Sequence, residues 1–153
     1  MSKISLIKHA TGAPGLRLFG LGPKLKPSNA LEKLKLLFNQ NAFWAKNRNK
    51  HQIRKMLKNS SVVVTIWNQK NLIGFGRATT DKVYRAVLWD IVISKKSQRL
   101  GLGKIIIEAL LNDKNIKSVE RVYLMTTHSI DFYKQLGFKK NSQQSMLLID
   151  RSK

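Results

Sequence analysis

The stretch from Ala86 to Leu111 constrains this chain more than any other. Ala86-Val87-Leu88-Trp89-Asp90-Ile91-Val92-Ile93 has the length and the β-branched, apolar texture of a strand. A short polar link carries it into Gln98-Arg99-Leu100-Gly101-Leu102-Gly103-Lys104 and then into Ile105-Ile106-Ile107-Glu108-Ala109-Leu110-Leu111, a helix. Two glycines one residue apart at the mouth of a helix expose several backbone N–H groups in one direction. The helix adds about half a positive charge at that end, so the turn suits a phosphate. Taken alone, it identifies no ligand.

The flanking elements define the class. Val62 to Trp67 and Leu72 to Ala78 read as strands joined by the turn Asn68-Gln69-Lys70-Asn71, and Thr80-Asp81-Lys82 turns the chain into a third strand, about 83–93. Three strands on short loops form an antiparallel meander. A fourth, Arg121 to Thr126, is reached through the helix and should lie parallel to the third. A short helix over about 129–136 should stop at Gly137, and Ser145 to Ile149 should close the sheet. Ahead of the meander, residues 11–28 are a Gly/Pro-rich loop with a short strand at Leu16 to Phe19. Asn29 and Glu32 form a capping box for a helix carrying Leu31, Leu34, Leu37 and Phe38, and a second helix spans about 50–57. The fold class is α/β, a mixed and mostly antiparallel sheet flanked by helices, and the chain reads as one domain over 1–153.

Composition excludes several chemistries. The chain has no cysteine, so disulfides and thiolate nucleophiles are impossible; its three widely spaced histidines, His9, His51 and His128, offer no metal pair. No apolar run approaches the roughly 20 residues that span a bilayer. Met1 to Lys8 alternates and lacks the continuous apolar region of a signal peptide, so a soluble, intracellular product is expected. The net charge of +21 is extreme, with 13 bases against one acid in the first 60 residues. Lysine outnumbers arginine 21 to 8, however, as codon bias in an A+T-rich genome would produce. Readers of nucleic acid favour arginine, so nucleic acid is disfavoured as a partner.

The order meander, long strand, Gln-x-x-Gly-x-Gly turn, helix, parallel strand and Phe132-Tyr133-Lys134-Gln135-Leu136-Gly137-Phe138 resembles the GNAT N-acetyltransferases over about 61–149. Gly74-Phe75-Gly76-Arg77-Ala78-Thr79 together with Leu88 to Ile93 is similar to the cyanobacterial and plastid branch, which includes plant chloroplast serotonin and protein N-acetyltransferases. The resemblance implies a GNAT fold, its sheet splayed between two parallel central strands. It implies acetyl-CoA as donor, no metal, and a primary amine as acceptor, small or on a protein. Residues 61–149 would bind the donor and residues 1–60 would form the acceptor side. A monomer or homodimer in a cyanobacterial-type cytoplasm or plastid stroma fits the branch.

Site residues follow from the same resemblance. Backbone groups of Gln98, Arg99, Leu100, Gly101, Leu102, Gly103 and Lys104 would hold the pyrophosphate, and those of Ile91, Val92 and Ile93 the pantetheine arm and the thioester carbonyl. Tyr133 would protonate the departing thiolate. Asp90, expected by strand alternation to share a face with Leu88 and Val92, would be a general base or the partner of Arg77 or Arg85. Thr126 stands where many relatives have an asparagine, and His128 reads as a capping or surface residue. The competing class is a basic, non-catalytic module of the same fold that contacts RNA, the ribosome or an acidic protein.

Overall fold

The expected meander is the centre of the fold. In the computed structural model, which describes residues 3–152, β2 (Val62–Asn68), β3 (Asn71–Thr80) and β4 (Arg85–Ile93) pair antiparallel in succession. Met1, Ser2 and Lys153, the ends of the expected domain, lie outside the described residues. The alternating N-terminal stretch forms β1 (Ile4–Lys8), antiparallel to β2, and β5 (Arg121–Tyr123) pairs parallel to β4. The sheet order is β1-β2-β3-β4-β5.

Helices cover both faces. On one, α1 (Pro14–Phe19), α2 (Ala30–Asn41) and α3 (Lys50–Lys58) bury Leu16, Leu34, Phe38, Ile53 and Leu57 against Val63, Trp67, Phe75 and Val92. On the other, α4 (Leu102–Leu111) buries Leu102, Ile106, Ile107 and Leu110 against Val62, Val64, Ile66 and Leu88. β2 is covered on both faces, which is why its sequence is a continuous apolar run rather than an alternation. Each fully buried side chain of this size contributes about 1.5–3 kcal/mol. The last helix, α5 (Ile130–Gln135), ends at Leu136, and Gly137 follows at φ 96°, as expected of a glycine stop.

Four local expectations are corrected. Leu16 to Phe19 is helical, because Pro14 fixes the first turn and Gly20 closes the last in the left-handed region. The helix at Ala30 begins where expected but without the capping box: Asn29 makes no side-chain cap, and Glu32 instead pairs with Lys50. The parallel strand stops at Tyr123 rather than Thr126. Ser145 to Ile149 does not close the sheet, and Leu147 is 92% exposed, so β5 stands at the sheet edge.

Between β1 and β2, His9 bonds through Nε2 to Thr65 Oγ1 at 2.8 Å, and burial lowers its pKa to about 4. At the other end of the sheet, β3 and α4 meet at Gly76. A Cβ there would lie 2.5 Å from Ile106 Cγ2 and 2.9 Å from Ile91 Cδ1, inside any real contact. Gly76→Ala is expected to destabilise the protein by about 1–3 kcal/mol. A urea denaturation midpoint unchanged by the substitution would contradict that packing.

Candidate active site

Strand β4 is irregular where the chemistry was expected. Phe75 pairs with Val92 but Arg77 pairs with Trp89, so Asp90 and Ile91 together oppose Gly76. This is a β-bulge, and Asp90 takes φ 54° within it. The extra residue reverses the alternation. Leu88 therefore packs with α4 while Val92 packs with α2, and Asp90 does not share one face with both as simple alternation predicts.

The parallel partner leaves at the same place. Arg85, Ala86 and Val87 pair with Arg121, Val122 and Tyr123, and the pairing ends there. Beyond it, Leu88 to Ile93 continues with β3 on one side and a gap on the other. A cavity of about 580 Å³ occupies the gap. Its walls include Leu88 to Ile91 of β4, Leu124 to Ser129 of the loop after β5, and Tyr133 of α5. Phe43, Trp44 and Arg48, from the link between α2 and α3, close a third side.

Asp90 is bracketed by cations. Its Oδ1 accepts from Trp44 Nε1 and Arg48 Nη2, both at 3.2 Å, and its Oδ2 pairs with Arg77 Nε at 2.8 Å and Arg48 Nη1 at 3.1 Å. The Asp90 side chain is only 4% exposed. Burial pushes its carboxyl up, but the Arg48 hydrogen bonds and the charge of Arg77 outweigh that and hold it below the usual carboxylate range. Of the two arginines weighed from sequence, Arg77 makes the pair, whereas Arg85 pairs with Glu120. Arg48 and Trp44 carried no sequence signal beyond an aromatic pair, Phe43-Trp44, in an otherwise polar link.

Tyr133 reaches the cavity from α5, held edge-on between Phe132 and Phe138 with ring centroids 5.0 and 5.8 Å away. Burial raises its pKa, so the phenol keeps its proton at neutral pH. Thr126 Oγ1 accepts from the Ser129 N–H at 3.1 Å, which caps the approach to α5, and His128 is exposed at the cavity wall.

The glycine turn lies beside this cavity rather than in it. Arg99 and Gly101 both have positive φ, 66° and 78°, and a Cβ on Gly101 would meet nothing within 4 Å, so its surface is open. Gly103 is small for another reason, since Phe132 comes within 3.2 Å of where its Cβ would be. That contact ties the start of α4 to the helix that carries Tyr133. Gln98 donates its side-chain amide to the Ile93 carbonyl at 3.2 Å, Leu100 is exposed, Leu102 is buried, and Lys104 faces Glu108 at 3.8 Å. The structure thus brings Tyr133, Asp90 and Ile91 to one cavity. Val92 turns into the opposite core, and Ile93 packs towards α4. Among the described residues no cluster of three or more His, Asp or Glu side chains could hold a metal ion, and no helix is long and apolar enough to cross a membrane.

A sheet opened at a bulge, a glycine turn at a helix mouth and a tyrosine on the cavity wall thus lie together beside β4. Residues 31–138 match the Acetyltransferase (GNAT) family, and the chain belongs to that family. It is 36% identical over 103 residues to an uncharacterized N-acetyltransferase, ycf52, of Pyropia yezoensis, covering 64% of this chain and 59% of that protein. It is 37% identical over 67 residues to the chloroplastic GCN5-related N-acetyltransferase 1 of Arabidopsis thaliana, covering 43% of this chain and 34% of that one. The matches thus span between a third and three fifths of those relatives. A GNAT-family acetyltransferase of Streptococcus pneumoniae superposes with a TM-score of 0.72 at 19% identity, covering 98% of this chain and all of that one, which shows a shared fold.

Removing the Asp90 charge leaves two guanidinium groups facing each other, and breaking a buried pair in this way costs about 3 kcal/mol. Asp90→Asn is expected to lose about that much stability at pH 7. The carboxyl sits below its unfolded pKa, so its contribution is complete above about pH 4 and fades as pH falls further. Urea denaturation of both proteins should show the gap narrowing below about pH 4; a gap constant from pH 7 to pH 3 would contradict the bracket.

Proposed function

We propose that the protein transfers the acetyl group of acetyl-CoA to a primary amine by direct attack in a ternary complex. The observation that carries this is the juxtaposition of Tyr133 with the unpaired edge of β4 in one cavity, beside an open glycine turn. The fit of the donor rests on chemistry already present. The unpaired edge of β4 offers backbone donors and acceptors to an extended amide-bearing arm, as a missing strand would. The mouth of α4 offers N–H groups and a positive helix end to a pyrophosphate, with Gly101 leaving the approach open.

When bound, acetyl-CoA supplies an activated acyl carbon and a thiolate leaving group. The chain supplies the rest. Backbone N–H groups of Ile91 to Ile93 are the candidates to polarise the thioester carbonyl, and those of Gln98 to Lys104 to hold the pyrophosphate. Tyr133 gives the proton to the leaving thiolate, a role for which its raised pKa keeps it protonated. With no cysteine to carry the acyl group, direct attack is the simplest route. Asp90 has both oxygens occupied by cationic or N–H donors and is held ionised, so it serves as a positioning residue for the bulge and the amine loses its proton to water. Residues 43–48 supply the acceptor side. A plastid stroma or a cyanobacterial-type cytoplasm is the location this reading favours, supported by the chloroplastic name of one relative and the cyanobacterial source of another.

Release of free thiol from acetyl-CoA, measured against a panel of amines, tests this directly. Tyr133→Phe is expected to lower kcat about 10²-fold or more while leaving the KM for acetyl-CoA little changed. Equal rates for the two proteins would remove Tyr133 from the reaction. No release with any amine would favour the non-catalytic module.

A further inference from the structure

The cavity between β4 and the loop after β5 holds more positive charge than its acid can neutralise. Arg48 and Arg77 both line it, and Asp90 is the only acid among the residues that do. Arg48 places both terminal nitrogens on Asp90. Arg77 reaches Asp90 through Nε, and its Nη1 makes only a long 3.5 Å contact with Ser60 Oγ. Its Nη2 has no hydrogen-bond partner among the described residues. The group is also fixed in place, with its guanidinium carbon 5.7 Å from the centroid of the Trp89 ring. Arg77 lines the cavity, and a guanidinium so held, with N–H donors to spare, can serve as a planar receptor for carboxylate or phosphate oxygens.

We propose that the acceptor is a small primary amine that also carries an anionic group, a carboxylate or a phosphate, held by Arg77. This rests on the acetyltransferase reading and names its substrate class. Phe43, Trp44 and Trp89 offer flat apolar walls to the body of such a molecule. A volume of about 580 Å³ is that of a small-molecule site. The net charge of +21 acts in the same direction at longer range, drawing anions in and repelling polyamines.

The test compares amines matched in body and differing in the anion: phenylalanine against phenethylamine, and O-phosphoethanolamine against ethanolamine. Thiol release should favour the acidic member of at least one pair by about tenfold or more in kcat/KM, the scale of one charge-assisted hydrogen bond. The pair that responds tells carboxylate from phosphate. Calorimetric affinities of N-acetylphenylalanine and N-acetylphenethylamine should show the same order without any turnover. Arg77→Gln should abolish the preference. Because that variant also loosens Asp90, Thr127→Glu on the exposed cavity wall is the second arm, expected to raise KM for acidic amines and lower it for neutral-bodied ones. Equal or better use of the neutral members, or a preference that survives Arg77→Gln, overturns the proposal while leaving acetyl transfer intact. Preferential binding of the acidic product with no thiol release from any amine upholds the anion receptor and sinks the transferase reading instead.

Discussion

The ionic bracket around Asp90 is the constraint on which the rest of the site depends. A non-glycine residue at φ 54° costs on the order of 1–2 kcal/mol and persists only when its surroundings fix it. Here Arg77 fixes it from β3, and Arg48 and Trp44 fix it from the link between α2 and α3. The bulge so held reverses the alternation of β4, sends Leu88 and Val92 into different cores, and lies where β5 has already left. The gap that results is the cavity. One carboxylate thus couples the N-terminal helical layer to the strand edge on which the donor is proposed to lie.

Much of this architecture was legible in the sequence because it rests on local patterns. Val62 to Trp67, Leu72 to Ala78 and the strand through Ile93 declare themselves by β-branched runs between turn residues, and a helical crossover dictates a parallel partner. The glycine turn was legible too, since Gly101 needs its positive φ whatever surrounds it. Long-range events were not. No pattern in Trp89-Asp90-Ile91 announces a bulge, because the side chains that hold it, Arg77, Arg48 and Trp44, come from other elements. Arg48 lies 42 residues from Asp90, so its role could appear only once α3 was folded against the sheet. Leu16 to Phe19 misled for the opposite reason: an alternating four-residue run is ambiguous, and Pro14 and Gly20 decide in favour of a helix. Ser145 to Ile149 has the composition of a strand and no partner in the sheet.

The charge of the chain takes on a different meaning at the site. Over the whole sequence, +21 reads as lysine-rich background. At the cavity it becomes specific, two guanidinium groups about one carboxylate, with aromatic faces beside them. Arginine is the residue whose planar fork can hold such a geometry, and these two of the chain's eight arginines meet at one acid.

The central claim is that the open edge of β4 and the turn after it receive acetyl-CoA. Amide hydrogen exchange measured with and without acetyl-CoA tests it at the backbone itself. Slowed exchange concentrated over residues 88–104, with the basic outer face of α3 unaffected, is the expected result. Protection confined to α3, or none at all, would contradict it.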